Sequence, residues 1–377
     1  MSLGVTLMGG PQRFSAQALT EFTSTVLARY GLPHEDARIG ASILIDADLM
    51  GIDSHGIAHL NTHRGYAPGL KAGMVNPTPN IRAVRETAST ALVDGDRGFG
   101  LIVGYRAMRL AIEKARDAGS GLVSVTNSRH FGAAGYYALM AVPEDMIGIA
   151  MCNAGPWVVP TFGRKPMIGT NPIAFAAPAG NEQPFLMDMA TSAVAMGKLE
   201  IAEREGKAIP DGWALDESGR PTVDIARVRR GGGGLMPLGS SPVTSSYKGY
   251  ALGQMVDILC GVLSGIGFSM ILDRPTSAAG QFFGAIRIDG FRDIDEFKAM
   301  MDDLQRTFRT AETVDGTDRV LLPGQREFET RTDRERNGIP LHRTVVESLE
   351  SLALELGIEA PEPIDGPNPR PLPYPYA

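Results

Sequence analysis

The stretch Ala91-Leu92-Val93-Asp94-Gly95-Asp96-Arg97-Gly98-Phe99-Gly100-Leu101-Ile102-Val103-Gly104 decides how the chain is read. An apolar run, glycines and a helical pattern are what a dinucleotide-binding Rossmann turn needs. The glycines, however, run GxGxxxG instead of GxGxxG, and Asp96 and Arg97 sit where the tight turn should begin. No acidic residue closes a second strand about twenty positions on, because Asp117 falls within the helical stretch. A glycine-rich strand-to-helix turn made for close packing fits the residues better.

The chain around this turn has a matching grammar. Short extended runs occur at Ile81–Arg85, Ser89–Asp94, Leu122–Thr126, Ile147–Met151, Ile173–Ala177, Phe185–Ala190 and Phe283–Asp289. A helix over Gly104–Ala118 separates the second from the third. Strands and helices that do not alternate strictly predict an α+β fold, not a doubly wound one. Upstream, Ser15 is placed as an N-cap, with Phe14 and Leu19 as a hydrophobic staple. Leu19, Phe22, Val26 and Tyr30 then recur at helical spacing, and so do Ile39, Ile43, Ala47 and Met50 before Gly51. Downstream, Gly231–Gly234 and Gly239–Ser246 read as flexible loop. Tyr247–Leu263 reads as a buried helix, Asp295–Phe308 and Thr344–Leu356 as amphipathic helices, and Pro361–Tyr376 as an extended tail.

Bulk properties narrow the class. The 377 residues, 43% hydrophobic and 21% charged, suit one large or two moderate soluble domains. A net charge of −7 argues against nucleic acid or an anionic membrane as the main partner. No apolar run reaches the length of a membrane span, and Met1–Val5 lacks the basic region of an export signal. Cys152 and Cys260 lie far apart in apolar surroundings and read as buried, reduced thiols of a cytoplasmic protein. With no CxxC or HExxH, no metal is expected.

Chemistry concentrates in Gly51-Ile52-Asp53-Ser54-His55-Gly56-Ile57-Ala58-His59, which holds two of the six histidines. Adjacent Asp53, Ser54 and His55 side chains cannot converge as a hydrolase triad, and no GxSxG elbow occurs. An imidazole titrating near neutrality beside a hydroxyl suits proton delivery to a forming alkoxide. His130 lies in a second small-residue turn, Ser128-Arg129-His130-Phe131-Gly132, before a helix start that favours an anion such as a substrate carboxylate. Asp188 ends an apolar strand and needs a partner, a histidine or a cofactor hydroxyl. Lys248 sits at a helix start, where the dipole gives a cation no reason to be, and so suggests a phosphate contact. The arginines between Arg319 and Arg336 read as an exposed or interfacial face.

Together these residues resemble the type-2 malate/L-lactate dehydrogenase family, a non-Rossmann group that includes ureidoglycolate and sulfolactate dehydrogenases and diketogulonate and piperideine-2-carboxylate reductases. The match runs through DSHG at 53–56, SRHFG at 128–132, GTNPIAFAAP at 169–178, DMATS at 188–192 and GK at 197–198. It continues through GWALDESGRPT at 212–222, YKGYAL at 247–252, LLPGQRE at 321–327 and GIPL at 338–341. The resemblance implies a helical domain built from both chain ends, residues 1–75 with about 290–377, and a central α+β domain over 76–289 with a mixed or mostly antiparallel sheet. It also implies a homodimer, a small-molecule 2-oxo or 2-hydroxy acid substrate, and NAD or NADP bound outside any Rossmann crevice. Asp188, Met189, Ala190, Lys248, Gly249, Gly324, Gln325 and Arg326 would then line the cofactor. His55 would be the acid/base, with Ser54 and Asp188 in its proton relay, and His130 would face the substrate.

The sequence departs from that pattern on the substrate side. His59 stands where relatives commonly carry an arginine, and an imidazole cannot grip a carboxylate bidentately. The longer Asn61–Gly65 segment offers Arg64 as a replacement charge, the Ser240–Ser246 loop is extended, and Tyr247 replaces a residue that is often histidine. The expected activity is an NAD(P)-dependent interconversion of a 2-oxo acid (or cyclic 2-imino acid) and its 2-hydroxy (or amino) acid. The alternatives are a catalytically silent cofactor-binding relative, a Rossmann-type dehydrogenase and a serine hydrolase.

Overall fold

The computed structural model describes residues 11–62, 65–272 and 278–366. They divide into two compact units, one formed by the described residues of Met1–Pro68 and Glu327–Tyr374, the other by Gly69–Arg326.

The first unit is helical and ties the two ends of the chain together. Strand Gln12–Phe14 pairs antiparallel with Ile339–Leu341. The Ser15 hydroxyl then accepts from the Ala18 N–H and caps helix Ala16–Arg29, while Phe14 and Leu19 are fully buried. That helix packs on His34–Leu49 and on Arg343–Leu356. The second of these two is capped by the His342 ring, which accepts from Thr344 N–H. Inside this unit the buried Arg331 pairs with Asp46 and, at 3.0 Å, with Glu335. The arginine run between Arg319 and Arg336 is therefore not simply an exposed face. Where Arg331 turns inward, buried Asp46 and partly buried Glu335 meet it.

The second unit is built on a mixed sheet of seven strands among the described residues. Their order is Arg82–Glu86, Thr90–Asp94, Ser120–Arg129, Ala278–Arg287, Met146–Cys152, Ile173–Ala177 and Phe185–Met189. Only Thr90–Asp94 against Ser120–Arg129 is parallel, and helix Gly100–Ala118 makes that crossover. Every other pairing is antiparallel. The fold is thus α+β with a mixed, mostly antiparallel sheet. The late strand is longer than its Phe283–Asp289 pattern suggests and lies at the sheet centre, paired on both sides.

The glycines of the opening stretch are explained by packing against protein. A Cβ on Gly98 would lie 2.7 Å from Pro79 Cγ, one on Gly100 2.2 Å from the His130 carbonyl oxygen, and one on Gly104 3.0 Å from the Tyr137 ring. Such contacts leave no room for a side chain, so the turn seats the helix on the strand and against the His130 turn instead of cradling a pyrophosphate.

Two expectations are corrected. Gly231–Gly234 is not all loop: Gly234–Leu235 is a strand of a small three-stranded sheet, buried beside Val158, Ile168 and Leu199. Helix Ser246–Val256, continued by a π-helical turn at Asp257–Val262, is not buried on most sides. Val256 and Cys260 face the core, whereas Ile258, Val262 and Leu263 are more than half exposed, with Phe268, Met270 and Ile271 also in solvent. No described helix is long and apolar enough to cross a membrane.

Candidate active site

In the helical unit, the turn bearing Ser54 and His55 is held from the end of helix His34–Leu49. The Ile52 N–H donates to the Ala47 carbonyl and the His55 N–H to the Ile52 carbonyl. Gly51, at φ +77°, ends the helix in the left-handed region. Ser54 Oγ lies 2.9 Å from His55 Nδ1, so hydroxyl and imidazole form one hydrogen-bonded pair. His59 follows one helical turn later in the short 3-10 segment Ile57–His59, its ring edge-on to Tyr66 with centroids 5.1 Å apart.

The electrostatics differ from the near-neutral titration expected of His55. Desolvation lowers its pKa to about 4. His59 is lowered to about 4 as well, first by desolvation and then by the neighbouring His55. Both rings are neutral at physiological pH, because burial strips an imidazolium of its hydration. His55 is therefore in its base form, and burial makes it a weak base.

Asp53 takes no part in a triad. Arg334 donates to both of its carboxylate oxygens and, from the same guanidinium, to the Asp48 carbonyl. Asp48 itself is buried, accepts the Ile57 N–H at 2.6 Å, and has its pKa raised to about 8. Burial is the main cause, the Ile57 hydrogen bond opposes it, Asp53 adds to it and Arg334 opposes it. Sequence reasoning missed Asp48 and Arg334. A carboxylate on the last turn of an apolar helix, one turn before the motif, was the available signal for Asp48.

In the sheet unit, several of the remaining site residues come together around edge strand Phe185–Met189. The Gly135 N–H, in the first turn after the His130 loop, donates to Asp188 Oδ2 at 2.7 Å. That donor was expected to receive a substrate anion, but a carboxylate of the protein has it instead. A Cβ on Gly135 would lie 2.9 Å from the same oxygen, so the glycine admits the contact. The His130 ring is held by its own loop, with the Gly132 N–H 3.4 Å from Nδ1. Below it Phe131 stacks on Tyr137, ring centroids 4.9 Å apart, and the Tyr137 hydroxyl donates to the Phe131 carbonyl.

The other cofactor candidates reach the same strand through backbone contacts. Gly324, at φ +84°, packs so closely on Leu186 that a Cβ would lie 2.8 Å from the leucine Cβ, which brings the Gly324-Gln325-Arg326 turn beside the strand. Gly249 packs on the Leu238 backbone, and the Leu238 N–H donates to the Thr191 carbonyl just beyond Ala190. Lys248 and Arg326 are exposed, while Asp188, Met189 and Ala190 are half-buried. Half-buried Asp188, Met189 and Ala190, with Gly324 packed on Leu186 and Gly249 on Leu238, are the groups this unit could offer a cofactor. Arg64 lies outside the described residues. No cluster able to hold a metal occurs among the described residues.

Comparison with known proteins identifies the scaffold. The family model described as malate/L-lactate dehydrogenase matches residues 14–350. A malate dehydrogenase of Pyrococcus abyssi is 44% identical over 93% of this chain and 96% of its own length. A malate/(S)-sulfolactate dehydrogenase of Methanothermus fervidus is 40% identical over 89% and 95%. The crystal structure of malate dehydrogenase from Entamoeba histolytica superposes with a TM-score of 0.90 at 37% identity, covering 93% of this chain and all of that one. The mixed, mostly antiparallel sheet agrees with these matches: the chain belongs to the malate/L-lactate dehydrogenase family and is an oxidoreductase of the 2-hydroxyacid dehydrogenase type.

Proposed function

We propose that the enzyme interconverts a 2-hydroxy acid and its 2-oxo acid (or a cyclic 2-imino acid and its amino acid) with His55 as the acid/base. The observation that carries this reading is the Ser54–His55 hydrogen bond on a rigid turn, with the imidazole neutral. NAD or NADP supplies or accepts the hydride at C2. In the oxidative direction the substrate hydroxyl gives its proton to His55 Nε2. For Nε2 to accept, Nδ1 must carry the other proton and donate it to Ser54 Oγ, which orients the ring and stabilises the imidazolium that forms. In the reductive direction the same imidazolium returns the proton to the developing alkoxide. A substrate carboxylate close by raises the depressed His55 pKa and makes that charged form accessible.

In this reading His130 hydrogen-bonds the reacting oxygen or the carboxylate, and His59 and Arg64 line the substrate, with Arg64 supplying the positive charge that neutral His59 lacks. Asp188 faces the cofactor. Met189, Ala190, Lys248, Gly249, Gly324, Gln325 and Arg326 bind that cofactor. The protein acts as a cytoplasmic homodimer. The exposed apolar face of Ile258, Val262, Leu263, Phe268, Met270 and Ile271 supports a second copy as its cover, since a patch of this kind is costly in water. The buried free thiols suit a reducing compartment.

The test is a panel of 2-oxo, 2-hydroxy and cyclic imino acids assayed with both cofactors, on wild type and His55→Ala. The variant should bind cofactor normally and turn over about a hundredfold more slowly or worse. Near-normal turnover by His55→Ala would overturn the role, and cofactor binding without turnover on any acid would favour a silent relative.

A further inference from the structure

Gly56 is a glycine for an unusual reason. Its backbone angles, φ −88° and ψ −155°, suit any residue, so conformational freedom does not explain it. What excludes a side chain is Asp48: a Cβ on Gly56 would lie 1.9 Å from Asp48 Oδ1 and 2.4 Å from Oδ2. The carboxyl therefore lies directly over Gly56, and Oδ2 receives the Ile57 N–H at 2.6 Å. These contacts sit immediately after His55.

We propose that Asp48 is a positioning residue of the active site, its carboxyl clasping Gly56 and Ile57 so that the turn presents Ser54 and His55 in one orientation. The proposal rests on the acid/base reading of His55. The charged groups that Asp48 faces are Asp53 and Arg334, and the Arg334 guanidinium is engaged by the Asp53 carboxylate. An anion at Asp48 would thus lie buried beside a second anion and compete with it for one cation. The neutral carboxyl has no such conflict and still offers an oxygen to the Ile57 N–H. Asp48 ionises as pH rises, and ionisation draws Arg334 from Asp53 and loosens the turn, which puts an alkaline limb on turnover near pH 8.

Three variants and their combination test this. Asp48→Ala and Gly56→Ala should each lower kcat tenfold or more with little change in KM, the first by removing the clasp and the second by displacing it. The double variant should lose no more than Asp48→Ala alone, because the new methyl fills the space the carboxyl leaves. Asp48→Asn, which has the shape and donor–acceptor pattern of the neutral acid, should keep turnover within about threefold at pH 7 and lose the alkaline limb. The His55 ring signals in 15N NMR, assigned with His55→Gln, should move in both alanine variants and stay near wild type in Asp48→Asn. Additive losses in the double variant, unmoved ring signals in Asp48→Ala, or an alkaline limb kept by Asp48→Asn would overturn the proposal. If no acid is turned over but the ring signals follow the predicted pattern, the positioning role stands and the assigned reaction fails.

Discussion

Arg334 donates to both carboxylate oxygens of Asp53 across 281 residues of sequence, and this pair fastens the turn that bears Ser54 and His55 to a helix from the other end of the chain. The arginine is well buried and also satisfies the Asp48 carbonyl at the end of helix His34–Leu49. Arg334→Ala should therefore destabilise the protein by about 2 kcal/mol, the cost of losing hydrogen bonds to a charged group. Lysine should not rescue it, because one ammonium cannot span two oxygens and a carbonyl. Urea unfolding of the three proteins measures this, and equal midpoints for wild type and Arg334→Ala would contradict it.

Ser54→Ala tests the pairing with His55. Without the hydroxyl, Nδ1 loses the partner that selects its tautomer, so kcat should fall about tenfold while KM changes little. The loss should stay smaller than that of His55→Ala. A larger loss would make Ser54 the reacting group.

The pH dependence of stability has two opposing signs. His55 and His59, at about 4 when folded against about 6.5 when unfolded, contribute stability that is complete above 6.5 and disappears as pH falls toward 4. Asp48, raised to about 8, keeps a proton that an unfolded carboxyl releases near 3.9, so its contribution declines as pH rises from about 4 to 8. Each proton is worth about 1.4 kcal/mol per pH unit within its window. Thermal or urea unfolding from pH 4 to 9 should show Asp48→Asn flattening the decline between about pH 4 and 8, and His59→Asn flattening the loss as pH falls toward 4. Parallel curves for variants and wild type would refute these assignments.

The Gly135–Asp188 contact predicts a cofactor effect. Gly135→Ala places a methyl against Asp188 Oδ2 and removes the carboxylate from its N–H donor. Losing that bond should weaken nicotinamide cofactor binding about tenfold. Fluorescence titration with the reduced cofactor measures it, and an unchanged Kd would mean that the carboxylate serves only the fold.

The face of Ile258 and Val262 predicts assembly. Ile258→Asp should convert dimer to monomer in sedimentation at micromolar concentration, since a buried unpaired carboxylate costs several kcal/mol. A dimer that persists would place the interface elsewhere.

What the chain determined by itself was local. The Ser15 cap, the helix Gly51 ends, the strand runs and the rejection of a Rossmann turn all follow from residues close in sequence, because capping, period and turn chemistry act over one or two turns. The motif at 53–56 likewise led to the family without coordinates. Tertiary structure alone decided which groups share a charge or a proton. It paired Asp53 with Arg334, gave the Gly135 N–H to Asp188, and buried Asp48 over Gly56. It also turned half of the Ser246–Val262 helix to solvent. Ionisation and pairing depend on which distant atoms exclude water from a group, and that exclusion exists only once the chain has folded.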